Sequence, residues 1–295
     1  MDSIISQFQS AFILGRLFTD NILIAFEINH FLHAPGADGG LSIKLDMAKA
    51  FDRVEWPFLF EALGNLGFAV GFISLIKMCI SSSSLSFLIN RERVGVVRPS
   101  RGLRQGDFLS PYLFIMCSEF LSRILARVEL NGRILGIAVA PSAPRISHLL
   151  FADDTLIFYG ANRSEAEAVS HILGTFAAAS GLIINFSKSS LMISRSVCDG
   201  IASEIVTALG IPRCDSHELY LGVPASVGRN RYASFKFIKD HIWNRIQGWK
   251  VKFLSRAGRE ILIKVVLTSI PAYVMSCFRL PKSLFAEINS ILAGF

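Results

Sequence analysis

His148-Leu149-Leu150-Phe151-Ala152-Asp153-Asp154-Thr155-Leu156-Ile157-Phe158-Tyr159 sets two adjacent carboxylates between two apolar runs. Each run is short and rich in Leu, Ile, Phe and Tyr, so the stretch predicts a β-hairpin with acids at its tip. A matching unit lies upstream, where Leu41, Ile43 and Leu45 alternate with polar residues and end on Asp46, predicting a strand with an acid at its C-terminal end. Carboxylates forced close together repel and raise one another's pKa unless a cation neutralises them. Hard oxygen ligands of this kind suit Mg²⁺, which keeps some of its waters and takes further ligands from substrate phosphates. Two such ions about 3.5–4 Å apart hold the attacking and leaving oxygens of an in-line phosphoryl displacement. Taken singly, Asp153-Asp154 also reads as a solvated turn and Asp46 as a strand-end acid.

The chemical reading gains weight from a third segment, Arg101-Gly102-Leu103-Arg104-Gln105-Gly106-Asp107, which precedes Ser110-Pro111, a cap and first-turn pair opening a helix to about Leu130. Backbone N–H groups there, glycines that permit close approach and two arginines favour a phosphate or nucleotide. Apolar periodicity predicts helices from the caps Thr19 and Asp20 to about His33, over 57–65 and 70–81, and from the capping box Ser164-x-x-Glu167 to about Ala179. Strands are predicted around Ser86–Asn90 and Val94–Arg98, and Pro35 to Gly40 is a turn-rich loop. A short strand follows Gly181, and a mostly helical region begins near Asp199. Strands and helices mixed without regular βαβ alternation indicate an α+β body with a helical appendage.

Composition excludes several classes. With 52% hydrophobic and 18% charged residues in 295, the chain is neither disordered nor collagen-like. Its five cysteines are scattered without a Cys-x-x-Cys pair, which argues for a reducing compartment over a disulfide scaffold. Mean hydropathy is high at +0.47. The apolar runs Ala62 to Ile76 and Val265 to Phe278 fall short of the ~18–20 residues of a spanning helix, so no membrane partner is expected. The N-terminus lacks the basic start and apolar run of a signal peptide. The net charge of +7 is uneven: Gly228 to Lys282 holds twelve Lys or Arg against two acids, leaving the remainder mildly acidic. One part of the chain is thus suited to a polyanion, while another gathers carboxylates. His30-x-x-His33 and Cys214-x-x-His217 each resemble half a metal site, but no second half lies at suitable spacing.

Ser42-Ile-Lys-Leu-Asp46-Met-Ala-Lys-Ala-Phe51-Asp52-Arg-Val-Glu-Trp56, Arg101-Gly-Leu-Arg-Gln105-Gly106-Asp107 with Leu109-Ser-Pro-Tyr-Leu-Phe114, Phe151-Ala-Asp153-Asp154, and Ser180-Gly181-Leu-Ile-Ile-Asn185 with Lys188-Ser189 follow the order of reverse transcriptase motifs. The chain resembles the non-LTR (LINE-type) retrotransposon enzymes abundant in plant genomes. Gln9-Ser-Ala-Phe-Ile-Leu-Gly-Arg16 and Tyr220-Leu-Gly222-Val-Pro224 resemble that family's flanking segments, so the likeness covers essentially the whole chain. It implies a right-hand polymerase with a ferredoxin-like palm, partial fingers and a helical thumb. Residues 1–195 would form the partial fingers and palm, and 196–295 the basic, mostly helical thumb. The implied activity is RNA-directed DNA synthesis, adding dNTPs to the 3′-OH of a DNA primer on an RNA template.

Carried over residue by residue, the resemblance makes Asp46 and Asp153 the ligands of two Mg²⁺ ions, or Mn²⁺ in their place, with Asp154 beside them supporting the metal and primer end. Phe51 would be the aromatic gate that excludes a ribose 2′-OH; plain core packing is its alternative reading. Arg104, Gln105 and Gly106 would line the nucleotide pocket. Lys188 would lie near the triphosphate and help protonate the pyrophosphate leaving group, or be a solvated surface lysine. Lys250, Lys252, Arg256 and Arg259, interleaved with Trp243 and Trp249, fit a thumb gripping template and primer. The alternative there is an amphipathic helix pair whose tryptophans enter the core. Asp52 and Glu55 have capping-box spacing and stay outside the catalytic set.

Departures from the family pattern keep a rival reading open. The chain starts just before Gln9, without the fingers segment that supplies a basic contact to the triphosphate, and no endonuclease or RNase H region flanks it, so a fragment of a larger element is expected. Phe108 stands where the family has proline after Gly-Asp. Asn90-Arg91 replaces a common Asn-Gly, and an arginine strained at positive φ predicts a rebuilt hairpin. The rival is a catalytically silent relic that binds nucleic acid through its basic C-terminal region; a weaker third option is an intron-maturase-like enzyme acting mainly in RNA binding. Nuclear or cytoplasmic residence is what the resemblance implies, and oligomeric state is left open.

Overall fold

The structure, a computed structural model, describes residues 4–34, 39–250 and 254–295. Of the loop expected from Pro35 to Gly40, residues 35–38 lie outside the described residues, as does Lys252. The elements are α1 (Phe18–His33), β1 (Gly40–Leu45), the single turn α2 (Ala50–Arg53), α3 (Trp56–Asn65), α4 (Val70–Ser81) and a hairpin of β2 (Leu85–Ile89) and β3 (Glu92–Val97). There follow α5 (Ser110–Leu130), β4 (His148–Phe151), β5 (Asp154–Gly160), α6 (Arg163–Ser180), β6 (Ser190–Ile193), α7 (Asp199–Leu209) and β7 (Arg213–Cys214). The chain divides into two compact units, Met1–Asn21 with Glu27–Asp215, and Ile22–Phe26 with Ser216–Phe295.

The first unit is built on a five-stranded sheet in the order β4-β5-β1-β6-β7, antiparallel except for the parallel β6–β7 pair. Taken as β1-α5-β4-β5-α6-β6, the chain follows the β-α-β-β-α-β path of a ferredoxin-like fold, with β1 in the middle. Leu41, Ile43 and Leu45 point to one face by the two-residue period of a strand. Opposite them stand Tyr159 and Ile157 on β5, and Ile193 and Leu191 on β6. This face forms the main core with Leu59 and Leu63 of α3, Phe114, Cys117 and Leu121 of α5, and Val169, Ile172 and Phe176 of α6. Ser42 is buried along with Leu156 and Phe158, so the other face of the sheet is covered too.

Three local expectations are corrected. α6 is capped by Asn162, whose Oδ1 accepts the Glu165 N–H at 2.9 Å while its Nδ2 donates to Glu165 Oε1; Ser164 only supports this cap through its hydroxyl. α1 starts after Leu17 with no side-chain cap, because Thr19 and Asp20 already lie inside the helix. The β2–β3 hairpin is not rebuilt: Ile89 pairs with Glu92, and Asn90 and Arg91 both adopt positive φ (51° and 70°), the two-residue turn that Asn-Gly would form. The arginine bears the strain, and the ladder irregularity falls between Leu85 and Phe87 instead.

The second unit holds a small hairpin of β8 (Leu219–Tyr220) and β9 (Val223–Pro224), then α8 (Arg231–Lys250), α9 (Arg256–Leu262), a π-helical turn (Ile263–Leu267), α10 (Ser269–Met275) and α11 (Lys282–Gly294). Phe235, Ile238, Ile242 and Ile246 of α8 share the buried set with Leu267, Val274, Leu284 and Ile288. Glu287 of α11 accepts from Lys239 and Tyr232 of α8 at 2.7–3.0 Å. No described helix is long and apolar enough to cross a membrane.

Candidate active site

Sheet register brings the acids together. β1 and β5 pair from Gly40↔Gly160 to Leu45↔Thr155, and one step further along the same register sets Asp46 across from Asp154. On the other side Phe151 pairs with Asp154, which leaves Ala152 and Asp153 as a two-residue turn. Three carboxylates therefore lie at one end of two neighbouring strands, which run about 4.8 Å apart in a sheet. Burial, and then the negative charge of Asp153, hold the Asp154 carboxyl above the ordinary carboxylate range; Lys44 pulls it back and Asp46 pushes it further up.

Among the described residues no three His, Cys, Asp or Glu side chains form a ready-made metal cage. The donor set nonetheless fits Mg²⁺, which binds through one or two carboxylates and completes its shell with water and phosphate. The uncompensated repulsion around Asp154 is what such a cation would relieve.

The segment after α6 anchors Asp46. Its N–H donates to Ser189 Oγ at 3.1 Å, its carbonyl accepts the Asn185 N–H at 2.8 Å, and Ser189 Oγ donates to the Asn185 carbonyl at 2.9 Å. Met47 bridges Ile184, and the Ala48 N–H donates to the Ile183 carbonyl. Lys188 is exposed and precedes this anchoring serine.

Phe51 lies half-buried on α2, stacked on Phe114 with ring centroids 4.6 Å apart and planes inclined by 20°. The glycine-bearing loop is laced to the same segment. Gly102 N–H donates to the Val54 carbonyl, Leu103 N–H to the Phe51 carbonyl and Trp56 Nε1 to the Gly102 carbonyl, all at 2.7–2.8 Å. Gly102 has φ 84°, and a Cβ there would meet the Asp52 carbonyl oxygen at 2.6 Å, so only glycine permits this approach. Beyond that contact Arg104, Gln105 and Gly106 are exposed. The helix signal also needs correction: Ser110 lies inside α5, and Asp107 Oδ1 accepts the N–H of the N-cap residue Leu109. Phe108 is 93% exposed. Ser189 and Trp56 stood in quoted motifs but carried no expected role; only the fold shows what they hold.

In the second unit Arg256 and Arg259 lie exposed on α9, which Ser255 caps by accepting the Gly258 N–H. Arg259 donates to the Phe295 carbonyl and lies over that ring at 5.9 Å. Lys250 closes α8. The core alternative for the tryptophans is corrected: Trp243 is 46% exposed and Trp249 is half-buried, 6.1 Å from Phe295.

Comparison with known proteins adds an independent line. A family model described as "Reverse transcriptase (RNA-dependent DNA polymerase)" matches residues 1–253. The transposon TX1 uncharacterized 149 kDa protein of Xenopus laevis is 27% identical over 291 residues, 97% of this chain and 22% of that protein. An uncharacterized mitochondrial protein of Arabidopsis thaliana is 61% identical over 71 residues, 24% of this chain and 58% of that one. The Pol polyprotein of the type-1 retrotransposable element R2 of Popillia japonica is 26% identical over 172 residues, 58% of this chain and 26% of its own length. The chain thus spans between about a fifth and three fifths of the length of these relatives. Among solved structures, telomerase from Candida albicans superposes with a TM-score of 0.49 at 13% identity, over 95% of this chain and 44% of that one.

Proposed function

The chain belongs to the reverse transcriptase (RNA-dependent DNA polymerase) family, and from that premise we propose that it is the polymerase domain of a non-LTR retrotransposon protein, adding deoxynucleotides to a DNA primer 3′-OH on an RNA template. The observation that carries this reading is the register that aligns Asp46 with Asp154 and sets Asp153 in the adjoining turn.

Asp46 and Asp153 hold two Mg²⁺ ions in this reading, with Asp154 at their side. The ions, when bound, favour the 3′-alkoxide and neutralise charge on the phosphoryl oxygens. The protein's own part is mostly placement. Ser189 and Asn185 fix the backbone of Asp46, so its carboxylate starts from a defined position. Phe51, stiffened by its stack on Phe114, sets a wall against a ribose 2′-OH. Arg104, Gln105 and Gly106 contact the incoming nucleotide, and Lys188 donates a proton to the departing pyrophosphate. Residues 1–195 act as partial fingers and palm. Residues 196–295 act as the thumb, where Lys250, Lys252, Arg256 and Arg259 contact phosphates in a salt-sensitive way.

Primer extension on poly-rA with an oligo-dT primer, dTTP and Mg²⁺ tests this. Asp153→Ala lowers extension by at least about 100-fold. A parent chain that binds RNA in a salt-sensitive way but extends no primer would establish the silent relic instead.

A further inference from the structure

Gln9 is fully buried, lies outside every helix and strand named above, and joins the acid-bearing turn to α5 through its side-chain amide. Its Oε1 accepts two backbone N–H groups, from Ala11 at 2.9 Å and from Ala152 at 3.1 Å. Its Nε2 donates to Ser118 Oγ of α5 at 3.4 Å. Ser118 Oγ spends its own proton on the Ile115 carbonyl, so it can only accept from Gln9. That fixes which end of the amide faces Ala152.

Ala152 needs such a partner. It immediately precedes Asp153, is nearly buried, and has φ 54°. Asp153 does not share the positive φ, which is the sign pattern of a type II′ turn, whose first central position is ordinarily glycine. A Cβ in that conformation is disfavoured, and a buried N–H without an acceptor would add to the cost.

The flanking chain is clamped to the same hairpin. Leu150 N–H donates to the Phe8 carbonyl at 2.8 Å, and the Leu150 carbonyl accepts from Ser10 N–H at 3.1 Å and from Asn21 Nδ2 at 2.9 Å. Arg16 closes the segment by donating to the carbonyls of Ile5, Ser6 and Gln9.

We propose that Gln9 is a positioning residue for the catalytic turn, holding Ala152 by its N–H so that Asp153 presents its carboxylate to the divalent cation. This rests on the polymerase reading above. An amide suits the task better than a carboxylate, because it accepts two N–H groups without adding negative charge beside three acids.

The test is Mn²⁺ binding to the full chain, followed by the loss of the free-ion electron paramagnetic resonance signal, with thermal unfolding in parallel. Gln9→Met removes the acceptor at similar volume, and weakens the site about 10-fold in a protein that is still folded. Adding Ala152→Gly recovers most of that affinity, because glycine takes the positive φ unaided; a generic packing defect at Gln9 would not be repaired this way. Unchanged affinity in Gln9→Met, or a loss that Ala152→Gly does not recover, overturns the proposal. Should Gln9→Met fail to fold, Ser118→Ala is the substitute. It releases the amide's orientation and weakens Mn²⁺ binding measurably; no change overturns the assignment. Asp153→Ala separates the two levels. Mn²⁺ binding that it leaves intact removes the metal site and the Gln9 role together. Binding that it abolishes but Gln9→Met spares removes the Gln9 role alone.

Discussion

Two of the hairpins, β2–β3 and β4–β5, share a two-residue connection and have opposite fates. β2–β3 turns through Asn90-Arg91 and β4–β5 through Ala152-Asp153, and each places non-glycine backbone at positive φ. Every residue of β2 and β3 is exposed, including Phe87 at 63% and Leu88 at 74%. Leu149, Leu150, Leu156, Ile157, Phe158 and Tyr159 of the other hairpin are all buried. A strained turn becomes a site when tertiary contacts over-determine it, and stays a loop tip when they do not. Asp153 inherits its placement from the β1–β5 pairing on one side and from Gln9 on the other, whereas Arg91 sits at the exposed tip of its own ladder.

The largest test of that contrast is a matched pair of truncations. Phe158→Ala removes a fully buried ring from β5 and costs about 3–5 kcal/mol. Phe87→Ala, on the exposed hairpin, stays within about 0.5 kcal/mol of the parent. Urea unfolding measures both, and equal losses would abolish the distinction between the hairpins.

The second test uses a group that only the buried hairpin contains. His148 on β4 is fully enclosed, its Nε2 2.7 Å from Ser122 Oγ, its Nδ1 3.1 Å from Ser147 Oγ and its ring 4.2 Å from Phe8. Burial pushes its pKa down to about 3, from 6.5 in the unfolded chain. The unfolded state therefore binds the extra proton between these values. The stabilising effect of the neutral ring is complete above pH 6.5 and is lost as pH falls toward 3. Between pH 7.5 and 5.5 this removes about 1.4 kcal/mol of unfolding free energy. Replacing the ring by His148→Gln flattens the step; a parent whose stability is level over this range would show that water reaches the hairpin.

How much of this was legible depends on the range of each interaction. Helices α3, α4 and α5, and the acid-tipped hairpin, follow from local periodicity and turn chemistry, and their bounds agree with the sequence reading to within about two residues. Asp46 and Asp153 were nominated by their strand-end settings, but their meeting depends on the β1–β5 register, which joins segments far apart in the chain. The same holds for Gln9, a polar residue between Phe8 and Ser10 that stood in a quoted segment without an assigned role until its oxygen reaches Ala152. Nor did apolar content separate the two hairpins: Phe87 and Phe158 both read as strand interior, yet Phe158 is fully buried on the sheet face opposite the main core and Phe87 is 63% exposed, a difference of tertiary cover that no local pattern carries. Asn162 took the cap of α6 from Ser164 because capping depends on backbone geometry one or two residues before the helix, which spacing rules locate loosely.

The smallest expected effect is also the most pointed, because it puts one substitution in both turns. Arg91→Gly relieves a left-handed arginine whose side chain is exposed, and stabilises the protein by about 0.5–1 kcal/mol. Ala152→Gly, in the otherwise unaltered chain, relieves a similar strain but gives up a methyl that is only 8% exposed, and its turn is already held by Gln9. The two contributions offset, leaving a net change near zero. Thermal or urea unfolding of the two variants side by side checks this. A clear gain at both positions would mean that the clamp at Ala152 does no more than the ladder at Arg91, and that the two turns differ in burial but not in how firmly they are held.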